Sequence, residues 1–308
     1  FFTFSGVILI IGAVALSTKE LNFGIDFKSG TQVKVALSQK ASVQDVRDAL
    51  AGVGGINAGE ATIQSENSQE LGANAFSVST KALTAGESAA VVQKLDSKFG
   101  IPAGKSKVTT IGPTFGQSVA DSAIIAIIAS LIVISSYIAL RFEWKYAVPV
   151  LIALMHDLLI TTGVYALFGF EVTTSTVAAL LTILGFSLYD TIIVFDRVRE
   201  NVPRMPRAAF SQILNRSMSE VLMRSLATSF CTLLPILALL FFGGETLKDF
   251  AFALAIGVLS GAYSSIFIAT PVLMHWKEGE PTWRKRRARV ELANGGHVPA
   301  YATAAGGA

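Results

Sequence analysis

Residues 176–195 read TVAALLTILGFSLYDTIIVF, an apolar run broken by a single carboxylate, Asp190. At 1.5 Å per residue such a run crosses about 30 Å of hydrocarbon as one helix. A second run, 225–242, opens directly after Arg224. A carboxylate or guanidinium in a bilayer-spanning helix costs roughly 2.5 to 3.5 kcal/mol on insertion scales, so such groups face a partner, a cavity or an ion path. The two charges therefore mark a helical membrane fold and the place in it where chemistry is to be sought.

Four more stretches of similar character, 1–17, 123–140, 146–170 and 250–273, bring the expected spans to six. Composition agrees: 52% of the 308 residues are hydrophobic and 15% charged, with a mean hydropathy of +0.55, far from the globular average. The first stretch ends in Ala13-Val14-Ala15, which also suits a cleavable signal peptide. A retained span is the expectation, continuing upstream of Phe1, which is not a methionine.

Lys and Arg set the orientation. Arg141 and Lys145 occupy one connection, and Arg197, Arg199, Arg204, Arg207, Arg216 and Arg224 the next one on the same side. Lys277, Arg284, Lys285, Arg286, Arg287 and Arg289 follow the last span, whereas the opposite connections hold only Lys248. Both termini are then cytoplasmic and residues 18–117 lie outside. The layout is a transmembrane helix at 1–17, an extracytoplasmic α+β domain at 18–117, transmembrane helices two to six within 118–274, and a cytoplasmic basic tail at 275–308. In the tail, 293–308 is rich in Ala and Gly without an apolar period and is expected to be disordered. The basic run 283–289 suits anionic lipid headgroups.

The outer region has soluble composition. Extended stretches at 31–37, 61–66, 76–80 and 106–111 alternate with helical ones at 42–53 and 86–99. The order strand, helix, strand, strand, helix, strand predicts a ferredoxin-like unit, with Ser42 as a helix cap and Asp45 in the first turn. The segment 207–224 places Phe210, Ile213, Leu214, Met218 and Val221 at helical spacing, predicting an amphipathic helix on the cytoplasmic surface. Small residues in the last span, among them Gly257, Ser260, Gly261 and Ser264, predict close helix packing.

Several chemistries are excluded. Cys231 is the single cysteine, and His156, His275 and His297 are scattered, so the sequence offers no disulfide framework and no metal cluster. It also contains no Gly-rich phosphate loop or nucleophile elbow. No cofactor, metal or enzyme activity is expected.

Four motifs carry a resemblance: NFGIDFKSG at 22–30, His156-Asp157, GFSLYDTIIVFDRVREN at 185–201, and Arg224-Ser225 followed by Thr228-Ser229. With one span, an outer domain and five more spans, the chain resembles SecF members of the SecD/SecF family, in the resistance-nodulation-division superfamily. Ser29 stands where that family usually has glycine, which bears on the tightness of one turn, and Phe186 where tyrosine is common. The resemblance implies a bacterial cytoplasmic-membrane subunit, paired with SecD beside the SecYEG channel, that uses the proton gradient to promote export of unfolded preprotein. It also implies functional roles for Asp190 and Arg224.

The residues support a proton-coupled reading independently. Counting along antiparallel spans puts Asp190 and Arg224 at comparable depth. Asp190 would take up and release a proton, and Arg224 would favour its charged form when close. Asp157, beside His156, is a candidate second relay group or a hydrogen-bonding anchor between helices. Asp196 reads as part of a helix-end charge cluster, and Asp121 as a hydrated group at the outer end of the second span. Half of a small-molecule or lipid exporter, or a structural scaffold of the channel, are the alternatives. The first would need a larger outer domain; the second would tolerate a neutral residue at 190.

Overall fold

The computed structural model describes residues 2–54, 56–68, 71–243 and 245–302. Helix α1 (Phe2–Lys19) ends where Lys19 Nζ donates to Leu167 O at 2.9 Å. A stem of β1 (Asn22–Phe23) and the one-turn helix α2 (Ile25–Lys28) leads into β2 (Gly30–Ala36), α3 (Val43–Leu50), β3 (Thr62–Ser68), β4 (Gly72–Thr80), α4 (Ala85–Phe99) and β5 (Ser106–Ile111). This is the order of strands and helices that the sequence predicts.

Capping fixes where the two longer helices of this unit start. Ser42 Oγ accepts from Asp45 N at 3.1 Å while Asp45 Oδ2 accepts from Ser42 N at 2.8 Å. Thr84 and Glu87 repeat the arrangement at α4. Each box satisfies two backbone donors that the helix leaves open. The strands form one antiparallel sheet in the order β3-β4-β2-β5. Alternation along β2 sends Val33 and Val35 into a core with Val46, Leu50, Val91, Leu95 and Phe99 of the helices. Gln32 and Lys34 take the opposite face.

Six helical segments among the described residues are long and apolar enough to cross a membrane. After α1 these are α5 (Pro113–Arg141), α6 (Trp144–Phe168), α7 (Thr174–Arg204), α8 (Phe210–Phe242) and a composite sixth. Between α6 and α7 lies β6 (Glu171–Val172), paired in parallel with β1. The composite is α9 (Glu245–Ser264), a π turn over Ser265–Ala269 and α10 (Thr270–Glu278); α11 (Pro281–Ala293) follows. Helix α7 packs against α5, α6, α8 and α9. Helices α1 and α6 meet at Gly12 and Gly163, where a Cβ on Gly163 would stand 2.7 Å from Gly12 Cα.

Two expectations are corrected. The segment 207–224 does not form a separate surface helix: from Phe210 onward it is the first part of α8, continuous with the fifth span. No glycine or proline interrupts 210–234, and Phe210, Ile213, Leu214 and Val221 bury their apolar stripe in the protein core. The run 293–302, expected to be disordered, is held against α8. Gln212 Nε2 donates to Pro299 O at 3.1 Å and Asn215 Nδ2 to Ala300 O at 2.9 Å. The rest of that stretch, 303–308, lies outside the described residues. The basic run forms α11, pinned by Trp283 against Phe210 with ring centroids 4.9 Å apart and by Arg287 on Glu278 at 2.6 Å.

Candidate functional site

Asp190 sits on the face of α7 that meets α8 and is 1% exposed. Ser225 Oγ donates to its Oδ2 at 3.0 Å, and Ser229 Oγ to the same oxygen at 3.4 Å. The two serines are four residues apart, with Val221 one turn earlier, so a single stripe of α8 covers the carboxyl. Asp190 Oδ1 is buried with no hydrogen-bond partner among the described residues. Leaving a buried oxygen of a charged group unpaired is costly.

The structure does not bring Arg224 to that oxygen. Residues adjacent in an α-helix point about 100° apart, and Arg224 precedes Ser225, so it falls on the neighbouring stripe. There it is exposed, and Thr228 Oγ1 donates to its carbonyl at 3.0 Å. Among the described residues no ion pair joins Arg224 to Asp190.

Asp157 on α6 is 0% exposed and has both oxygens occupied. Ser260 Oγ donates to Oδ1 at 2.6 Å, and His156 Nδ1 lies 3.2 Å from the same atom. Ser187 Oγ and Ser264 Oγ donate to Oδ2 at 2.6 and 2.7 Å. Ser187 comes from α7, three residues before Asp190, whereas Ser260 and Ser264 come from α9. The π turn starts at the very next residue, and such turns recur at functional sites. On the other side, His156 Nε2 lies 3.2 Å from Ser5 Oγ of α1, and Ser5 Oγ donates to Tyr263 at 3.2 Å. Four helices thus converge on Asp157, and α7 connects that cluster to Asp190.

Sequence reasoning missed the serines as ligands of the carboxylates. Their signal was present as pairs spaced by four in apolar helices, Ser225 with Ser229 and Ser260 with Ser264, but it reads equally as small-residue packing. Asp196 pairs with Arg141 at 3.7 Å, both exposed, in keeping with a helix-end cluster. Asp121 is exposed on α5. Among the described residues no group of three or more His, Cys, Asp or Glu side chains could hold a metal.

The chain matches the family described as "Protein export membrane protein SecD/SecF, C-terminal" over residues 91–279, and the "SecD/SecF GG Motif" over 14–41. A protein translocase subunit SecF from Desulfurispirillum indicum is 35% identical over 294 residues, covering 93% of each chain. Another, from Thermobaculum terrenum, is 36% identical over 306 residues, covering 95% of this chain and 96% of that one. A crystal structure of SecDF from Thermus, a translocon-associated membrane protein, superposes with a TM-score of 0.81 at 33% identity over 90% of this chain. The match spans only 37% of that longer SecDF chain. A SecDF structure in a super-membrane-facing form gives 0.61 at 32% identity, over 94% of this chain and 39% of that one. Motifs, six spans and matches along nearly the full length converge: the chain belongs to the SecD/SecF family of protein-export membrane proteins.

Proposed function

We propose that this chain, an auxiliary subunit of the Sec protein translocase, uses the proton-motive force to promote export of preproteins, with Asp190 as the group that exchanges the proton. The observation that carries the reading is the buried Oδ1 of Asp190, which has no hydrogen-bond partner among the described residues, on a helix that packs against four others. One elementary charge moving through the membrane potential releases about 2.3 kcal/mol per 100 mV. That is enough to bias two arrangements of a bistable assembly.

The chain is a multi-pass inner-membrane protein that works with SecD; both termini face the cytoplasm and residues 18–117 form the outer, ferredoxin-like domain. The fold assignment is supported by the strand order β3-β4-β2-β5 with α3 and α4 on one face. SecYEG and an unfolded preprotein are the working partners, and α11 meets anionic lipid through Arg284, Lys285 and Arg289, which are exposed. Arg224, one position from Ser225, favours the charged form of Asp190 when α7 and α8 shift relative to each other. Asp157 is the anchor of the bundle, its lone pairs engaged by four groups, while Asp190 does the exchange.

The test is preprotein export in vesicles carrying the SecD complex with Asp190→Asn, beside wild type and Arg224→Met. Loss of the proton-gradient-dependent part, with SecD still co-purifying, is the expected result. Full gradient-dependent export by Asp190→Asn would leave a scaffold in its place.

A further inference from the structure

The stem between α1 and the sheet is bound to the helix bundle by more than chain continuity. Asn22 pairs with Glu171 and Phe23 with Val172, and Gly24 N donates to Val172 O at 2.9 Å. Next, Asp26 Oδ2 accepts from Thr174 N at 2.9 Å and from Thr174 Oγ1 at 3.0 Å. It thereby satisfies an open donor in the first turn of α7, where the helix dipole also favours an anion. From β2, Gln32 Nε2 donates to both oxygens of Glu171 at 3.2 Å. The fit is tight, since a Cβ on Gly24 would stand 2.7 Å from Glu171 Oε1. Phe27 of α2 packs on the membrane core, and the start of α5 closes the other side, where a Cβ on Gly116 would lie 3.1 Å from Phe27 O.

The helix that Asp26 caps is the one that carries Asp190. From Thr174 to Asp190 the helix is unbroken and about 24 Å long. Its far end holds the proton group, and its near end is tied to a stem that runs straight into β2, the strand flanked by β4 and β5. We propose that Asp26 is a positioning residue that couples α7 to the outer domain, an inference that rests on the reading of Asp190 above. When α7 shifts, the hydrogen bonds of Asp26 and Gln32 carry its first turn and β2 together, so the sheet moves as one body with the helix. A stem joined by its chain alone would absorb the displacement by bending.

The contact can be cut and remade in one protein. In a Cys231→Ser background, Asp26→Cys with Thr174→Cys replaces both bonding partners by thiols that a short bis-methanethiosulfonate reagent can bridge. In vesicles with SecD, the reduced protein is expected to lose at least about fivefold in proton-gradient-dependent export while the ATP-driven part is unchanged. Bridging is expected to return it to within about twofold of the Cys231→Ser parent. Wild-type export by the reduced pair would overturn the proposal, and so would a bridged pair that stays as low as the reduced one. Asp190→Asn in the same vesicles keeps the two readings apart. Its full export would remove the proton role, whereas its loss beside an active reduced pair would remove only the role of Asp26.

Discussion

Asp157 and Asp190 are both buried carboxylates in apolar helices, yet their surroundings differ: both oxygens of Asp157 are engaged, whereas Oδ1 of Asp190 has no partner among the described residues. Removing Asp157 strands the hydroxyls of Ser187, Ser260 and Ser264 at once. At roughly 1–3 kcal/mol per unsatisfied group, lessened where a serine turns back to its own helix, Asp157→Ala is expected to cost about 3 kcal/mol. It should be read as a large drop in the unfolding temperature in detergent. Asp190→Asn keeps an oxygen for Ser225 and should stay within about 1 kcal/mol of wild type. Ser29 is a second residue-scale case. Its φ of 62° and ψ of 168° lie in a region that glycine alone enters freely, at a strain of order 1–3 kcal/mol. Ser29 is the position in the 22–30 motif where the resemblance leads one to expect glycine. Ser29→Gly is expected to stabilise by about 1 kcal/mol after the added freedom of the unfolded chain is subtracted, measurable as a higher unfolding temperature. Lone charges in apolar runs made the burial of Asp157 and Asp190 legible in the sequence. Their partners were not, because a serine that bonds a carboxylate and a serine that merely lets helices approach look the same until the fold assigns each stripe its neighbour.

Among the elements, the capping boxes carry a pH dependence. The backbone amide of Ser42, and then its hydroxyl, hold the Asp45 carboxyl below its ordinary value, and Thr84 does the same for Glu87. A carboxyl whose pKa is lower folded than unfolded contributes stability above the unfolded value and loses it as pH falls through the folded one. Helices α3 and α4 are therefore expected to lose protection below about pH 4, seen as lower protection factors, taken against the intrinsic exchange rate at each pH, at their first turns. Ser42→Ala should remove the effect at α3 and cost about 1 kcal/mol. In the membrane, α1 and α6 touch through Gly12 and Gly163 with no room for a side chain between them. Gly163→Ala should force the pair apart at a cost of about 1–3 kcal/mol, visible as weaker cross-linking between cysteines placed on α1 and α6. The strand and helix order outside the membrane could be read from periodicity and caps. The continuity of α8 could not, because an amphipathic stripe looks alike whether it meets lipid headgroups or, as here, the protein core.

At the scale of the whole molecule, apolar runs predict the spans, but nothing in the sequence shows that the α+β domain is tied to the first turn of α7. That tie comes from residues far apart in the chain, Asp26 with Thr174 and Gln32 with Glu171. It ties the α+β domain to the start of the helix that carries Asp190 about halfway along its length. The central claim is that Asp190 gains and loses a proton in the assembled complex. Infrared difference spectroscopy tests it most directly, by following the C=O stretch of protonated carboxyl groups as pH is stepped in membranes holding this chain with SecD. The account predicts a titrating carboxyl band that is present in wild type and absent in Asp190→Asn. The same band, unchanged in Asp190→Asn, would contradict it.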